Sequence, residues 1–242
     1  MRQHIHYSIA TIFIILTRIL YVTLPIPISH CMEMNVFETT CPLIKNVRSS
    51  EGAVQTQEFL EVCRQILPVV GKLGTGFGLV KSDVGGNIDR LATRAATQPD
   101  LYNPDIFQIL RDEVIQGTHV ESSSCTKGLL WLKRAMQFVV ALLHRLAQDR
   151  NISLSDAASE TYYSTLQQYH GWIVTGTFTV ALKLVPGRES FFESVGAGGL
   201  DGECGREAVF KSMNEFCVEF EDLLKVVHKF LVENDLDDPA RV

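Results

Sequence analysis

Residues 125–148 read CTKGLLWLKRAMQFVVALLHRLAQ, a stretch with no proline and with its one glycine near the start. Leu129, Leu130, Leu132, Met136, Val139, Val140 and Leu143 recur at helical spacing and cover more than one narrow stripe. A helix apolar over that much of its circumference has neighbours on several sides, so this segment is the centre of a helical protein. Working outward, amphipathic segments predict further helices over 56–70, 77–95, 104–116, 155–185 and 205–233, separated by short Gly, Pro, Asn and Asp clusters. Ser155 with Ser159 and Glu160 opens one helix, Pro186-Gly187 closes it, and Gly196 to Gly199 reads as a loop. Sustained period-2 alternation is scarce, and the fold class expected is all-α.

Composition narrows the function classes. The chain has 242 residues, 46% of them hydrophobic, and a formal net charge of -6, which suits one globular domain with a sizeable core. No basic block is present to neutralise a run of phosphates, so no nucleic-acid partner is expected. Six cysteines, at 31, 41, 63, 125, 204 and 217, form no CxxC pair; they read as reduced thiols rather than as a zinc site or disulfide framework. The chemistry expected is therefore that of a cytoplasmic protein.

The first fifty residues stand apart, as an N-terminal extension (1–50) before a domain at 51–242. Within them SIATIFIILTRILYVTLPIPI (8–28) is apolar over near-membrane length, yet Arg18 lies at its middle and Pro25 and Pro27 end it. Three readings stand. A membrane span carries about 2.5–3.5 kcal/mol for the central Arg; a signal peptide with Ile9–Leu16 as its apolar region lacks a small-x-small cleavage site; the third is an extension irrelevant to the fold, with Met32 or Met34 as the effective start. A signal or anchor stays open. The sequon Asn151-Ile152-Ser153 matters only in a secreted chain.

Motifs for catalysis are missing from the sequence. GKLGTGFG (71–78) lacks the GxxxxGK[ST] pattern and follows no strand, so it reads as a helix junction. There is no GxSxG and no HExxH, and His4 with His6 is the one closely spaced histidine pair, so neither a metal site nor a cofactor is expected. Three other segments carry polar or aromatic groups in suggestive places. On a helix Asp83, Asn87 and Arg90 share one face over about 10 Å, either a solvated strip or a row of donors and acceptors suited to a sugar. Trp131 reads as core or as an aromatic plate. His170, in phase with Leu166, Ile173, Val174 and Phe178, reads as a satisfied core histidine or a ligand contact. Trp172, two positions on, is turned outward, where tryptophans meet membrane interfaces.

DVGGNIDR at 83–90, LLWLKR at 129–134 and YHGWIV at 169–174, in that order, resemble the glycolipid transfer protein family, with similarity over about residues 56–232. The likeness is nearest to the lipid-transfer domain of pleckstrin-homology adaptor proteins. The resemblance implies a two-layer helical sandwich that is not an enzyme. Such a protein lifts one glycosphingolipid from a membrane, holds its sugar on a surface centre and encloses the ceramide chains in a collapsible tunnel. It further implies that Asp83 and Asn87 bond the first sugar and the ceramide amide, that Arg90 stands where glycolipid-specific members have Lys, that Trp131 is the sugar platform, and that His170 bonds the ceramide carbonyl. Leu130, Phe138, Ile173 and Phe178 then line the tunnel, and Trp172 docks on the bilayer. The implied partners are a glycosphingolipid and, transiently, a membrane surface, with the protein acting as a monomer.

Members of that family specific for ceramide-1-phosphate place Arg at the position of Trp131 and again four residues later, where this chain has Trp131 and Ala135. A phosphate without a matched cation pair is poorly held, so glycolipid is the expected cargo; Arg90 and Arg134 keep ceramide-1-phosphate open as an alternative, and a sphingolipid sensor or signalling scaffold is another. The tail LVENDLDDPARV lacks the tyrosine that ends some single-domain members, which puts pocket closure in question. A hydrolase built on His170 and Asp83 has no activated nucleophile to work with.

Overall fold

The computed structural model describes residues 34–196 and 202–241. The expected readings of the leader, including Arg18, His4 and His6, and positions 197–199 of the glycine loop lie outside the described residues. Among the described residues ten α-helices follow one another: α1 (Val36–Ile44), α2 (Thr56–Gly71), α3 (Gly78–Thr97), α4 (Pro99–Tyr102), α5 (Ile106–Gln116), α6 (Cys125–Gln148), α7 (Leu154–Thr165), α8 (Trp172–Lys183), α9 (Arg188–Val195) and α10 (Gly202–Glu233). Short 3-10 turns precede α3 (Thr75–Phe77) and α8 (Gln167–Tyr169). Among the described residues there is no strand, and no helix is long and apolar enough to cross a membrane.

The sequence explains most of the boundaries. Ser124 Oγ accepts from the Lys127 N–H to start α6, Ser153 Oγ does the same from Asp156 for α7, and Asp105 caps α5 through the Phe107 N–H. Gly117, with φ 71, ends α5 in the left-handed conformation. The α6 start has a second device: Glu113 on α5, itself buried, accepts from the N–H groups of Cys125 (2.7 Å) and Thr126 (2.8 Å) and from Thr126 Oγ1 (2.7 Å). A carboxylate at a helix N-terminus satisfies orphan donors and opposes the macrodipole, and here it fixes where α6 begins.

As expected, α6 is central. It packs against α3, α5, α7 and α10, while α1 bridges α2 and α10 and α2 packs on α3. Leu129, Leu132, Met136, Leu143 and Leu146 of α6 are wholly buried.

Two expectations need correction. The helix expected over 155–185 is two helices, because the chain leaves helical geometry at His170 (φ -100, ψ 132) and Gly171 (φ -71, ψ 173) before α8 begins at Trp172. The packed residues also begin before 51: Asn35 and Glu38 form a reciprocal capping box at α1, and Phe37, Ile44 and Val47 enter the core. The glycine stretch 71–78 is the junction expected between α2 and α3. Gly74 takes φ 106, and a Cβ on Gly76 would come within 3.0 Å of Ala181 on α8, so this turn and α8 sit almost backbone to backbone.

Candidate functional site

A cleft of about 380 Å³ opens between α3, α6 and the α7–α8 connection. Its walls are mostly apolar, with Val84, Leu166, Val174 and Phe178 among them, and its polar groups are Asp83, Trp131 and His170. Each arrives for a local reason. Asp83 and Asn87 are one turn apart on α3 and joined by a bond of 3.4 Å from Asn87 Nδ2 to Asp83 Oδ2; Asn87 is itself buried. Trp131 lies in the first half of α6, partly exposed at the cleft. The break before α8 turns His170 inward and leaves Trp172 outward, which an unbroken helix also predicted, though by a different geometry.

Aromatic rings fix the imidazole. It lies nearly parallel to the Trp131 indole (18°, centroids 5.9 Å apart) and 5.7 Å from Phe178, and Tyr162 Oη is 3.0 Å from His170 Nδ1. With Tyr162 donating to Nδ1, the ring proton sits on Nε2, ready to donate to an acceptor such as an amide carbonyl. Burial, aided by the positive charge of Arg134, pushes the His170 pKa below the usual imidazole range, so the neutral ring prevails at pH 7. Crowding by the cleft acts oppositely on Asp83: loss of water raises its carboxyl pKa, partly offset by Arg90. The acid, the amide and the imidazole can together hold a ligand bearing hydroxyls and an amide, while Trp131 offers a flat face to a C–H surface.

Three cations of this region, Arg90, Arg134 and Lys133, are turned to other partners. Arg90 donates through Nη1 to the carbonyls of Ser122 (3.3 Å) and Ser124 (3.1 Å), lying across Gly128, where a Cβ would meet its Cδ at 3.3 Å. Arg134, 1% exposed, is tied to Asp237 on the segment after α10 and its guanidinium lies over the ring of Tyr169. Lys133 is likewise buried, facing Asp237 at 3.9 Å. No Lys or Arg lines the cleft itself.

Of the expected tunnel residues, Phe178 lines the cleft, and Leu130 and Phe138 are buried, Phe138 packing edge-on against Phe178 at 5.9 Å. Ile173 is not with them: it is 62% exposed beside Trp172, which is 85% exposed. Moving the helix start to Trp172 changes the phase, so Ile173 faces out. Trp172, Val180 and Leu184 form an exposed apolar stripe with Ile173, and Leu79 is exposed at the cleft. Sequence reasoning did not single out Tyr162, Tyr169 or Asp237. Tyr162 carried only a weak signal, a phenol eight positions before His170, and Asp237 carried none.

The chain matches the family profile described as Glycolipid transfer protein over residues 54–197. It is 39% identical to Glycolipid transfer protein 1 of Arabidopsis thaliana, over 86% of this chain and 98% of that protein. It is 33% identical to human Pleckstrin homology domain-containing family A member 8 over 58% of this chain and 27% of that protein. Among solved structures, the GLTP-fold of FAPP2, described as selecting simple glycosphingolipids, superposes with TM-score 0.78 at 26% identity, over 86% of this chain and all of that one. The apo form of mouse ceramide-1-phosphate transfer protein shares the fold, with TM-score 0.75 at 21% identity over 85% of this chain and 99% of that one.

Proposed function

Since this chain belongs to the glycolipid transfer protein family and is a lipid transfer protein by that membership, we propose that it moves single glycosphingolipids between membranes and disfavours ceramide-1-phosphate. The observation that carries the choice is the charge of the cleft. A carboxylate, Asp83, faces it with an indole and a neutral imidazole, and no lysine or arginine lines it. A phosphate monoester brings about -1.5 to -2 charges at pH 7, and opposite Asp83 it meets repulsion with no cation lining the cleft to pair with it. A neutral sugar meets acceptors, donors and an aromatic plate.

In the mechanism, Trp172 and the apolar stripe beside it enter the headgroup region of a bilayer. The sugar then settles on Trp131, with hydroxyls donating to Asp83 and bonding Asn87, and the ceramide amide oxygen accepts from His170 Nε2–H. The acyl chains follow along Phe178 toward Leu130 and Phe138. A cleft of about 380 Å³ is at the small end for a drug-sized ligand, so two chains require α8 to part from the core. Burying them stabilises the complex by about 0.8 kcal/mol per methylene, no more than the bilayer already offers, and net flux follows the lipid's gradient.

The test is transfer of fluorescent glucosylceramide and fluorescent ceramide-1-phosphate between vesicles by the full chain. Fast glucosylceramide movement with slow ceramide-1-phosphate movement supports the proposal. A preference for the phosphate would overturn it.

A further inference from the structure

The segment that follows α10 reverses direction and lies against α6. Asp235 adopts φ 56, and the Leu236 N–H donates to Leu231 O at 2.8 Å, with Leu236 buried. Asp237 Oδ1 then stands 3.1 Å from Arg134 Nη2 and 3.9 Å from Lys133 Nζ, and its Oδ2 is 3.7 Å from His228 Nδ1. Arg134 Nη2 also donates to Asp238 O at 2.6 Å, the Asp238 carboxylate pairs with Lys127, and Arg241 Nε donates to Gln168 O at 3.0 Å. The last of these reaches the turn that carries Tyr169 and leads to His170.

Arg134 links this segment to the cleft. Its guanidinium carbon is 3.5 Å from the centre of the Tyr169 ring and 5.1 Å from that of Trp131, the indole that lines the cleft. The side chains of Lys133 and Arg134 are 2% and 1% exposed. One buried cation, Arg134, therefore stands directly behind the aromatic platform, and it shares its carboxylate, Asp237, with a second buried cation, Lys133.

We propose that Asp237 is a specificity-determining positioning residue, which by pairing with Arg134 and Lys133 withholds both cations from the headgroup cleft and sets the platform for a neutral sugar rather than a phosphate monoester. The inference rests on the glycosphingolipid reading and names the group that enforces it. Without Asp237, the planar guanidinium is buried with its charge uncompensated. A phosphate monoester matches the fork of its donors as well as a carboxylate does.

The test measures, for the full chain, the ratio of ceramide-1-phosphate to glucosylceramide transfer. In Asp237→Asn this ratio rises about tenfold, the equivalent of one charge-assisted hydrogen bond. Asp237→Glu keeps it near the parent value. The triple exchange K133M/R134Q/D237N, which replaces the buried charges by neutral groups that such sites accommodate, brings it back. If Asp237→Asn does not fold, K133M/D237N, with one uncompensated cation instead of two, takes its place against the triple exchange. A purely structural Asp237 would slow both lipids in equal proportion, and an unchanged ratio overturns the inference, as does a ratio equally raised in the triple exchange. A parent that moves ceramide-1-phosphate as readily as glucosylceramide would instead overturn the glycosphingolipid reading, and the response of the variants would still decide the role of Asp237.

Discussion

Asp83 shows a site residue whose charge works against the fold. Its carboxyl pKa is raised above 3.8 by burial, so the ionised form is disfavoured in the native state relative to the unfolded one. The cost is present above the native pKa and vanishes below the unfolded value. Asp83→Asn is therefore expected to melt at pH 7 no lower than the parent, and the difference between them should shrink toward pH 3. Transfer responds the other way: Asp83→Val should lower the glucosylceramide rate by roughly ten- to a hundredfold, the worth of a hydrogen bond to a charged acceptor, with an unchanged helical spectrum. The pH profile combines Asp83 with His170. His170 titrates below its usual 6.5 and Asp83 above its usual 3.8, so the rate should hold to a lower pH than a free imidazole would allow, and its acid limb should begin at a higher pH than an ordinary Asp would give. His170 also erodes stability on acidification, because the unfolded chain takes up a proton near pH 6.5 that the buried ring refuses.

Among the elements, α8 is the one that parts from the core in the proposed mechanism. It packs on α7 and on the 3-10 turn Thr75–Phe77, and leaves Trp172, Ile173, Val180 and, just past its end, Leu184 exposed. Gly76 permits its close seating, with 3.0 Å between a Cβ there and Ala181. Gly76→Ala should push α8 outward, destabilise the protein by about 1–3 kcal/mol and lower its melting temperature, which calorimetry would register. Much of this architecture was legible in the sequence. The α6 segment declared itself by an apolar surface too broad for a peripheral helix, and α2 and α5 by periodicity and punctuation. The break at His170-Gly171 was not legible, since the apolar residues of 166–178 keep helical phase across it and one glycine is a weak stop signal. Helix α1 was hidden by Pro42 and by the apolar run before it, although its Asn35–Glu38 capping box was in plain view. The site divided in the same way. Asp83, Asn87, Trp131 and His170 lie on segments with rare residue types at fixed spacing, whereas Tyr162 and Asp237 act through tertiary contact, and Asp237 is 103 residues from Arg134.

For the whole molecule, the docking force should be apolar rather than electrostatic. The net charge is -6, and the exposed stripe on and just after α8 is apolar apart from a single exposed lysine, Lys183. Vesicle binding should therefore change little between low and high salt. Trp172→Ala should weaken it by roughly tenfold in a sedimentation assay while leaving the melting temperature in place, since the indole is 85% exposed. Equal binding by the variant would remove Trp172 from the docking surface. The proposed selectivity is likewise a property of the whole chain: the cleft is free of lining cations while Arg90 is held by the carbonyls of Ser122 and Ser124 and Arg134 by Asp237 after α10.

The central claim, that a sugar headgroup rests on Trp131 under the control of Asp83, can be read from one spectrum. The chain has two tryptophans, so Trp172→Phe leaves Trp131 as the only indole. Titrating that variant with glucosylceramide should quench and shift its emission, saturating at one lipid per protein, and adding Asp83→Val should abolish the change. Lipid transfer proceeding with no change in Trp131 emission would contradict the account.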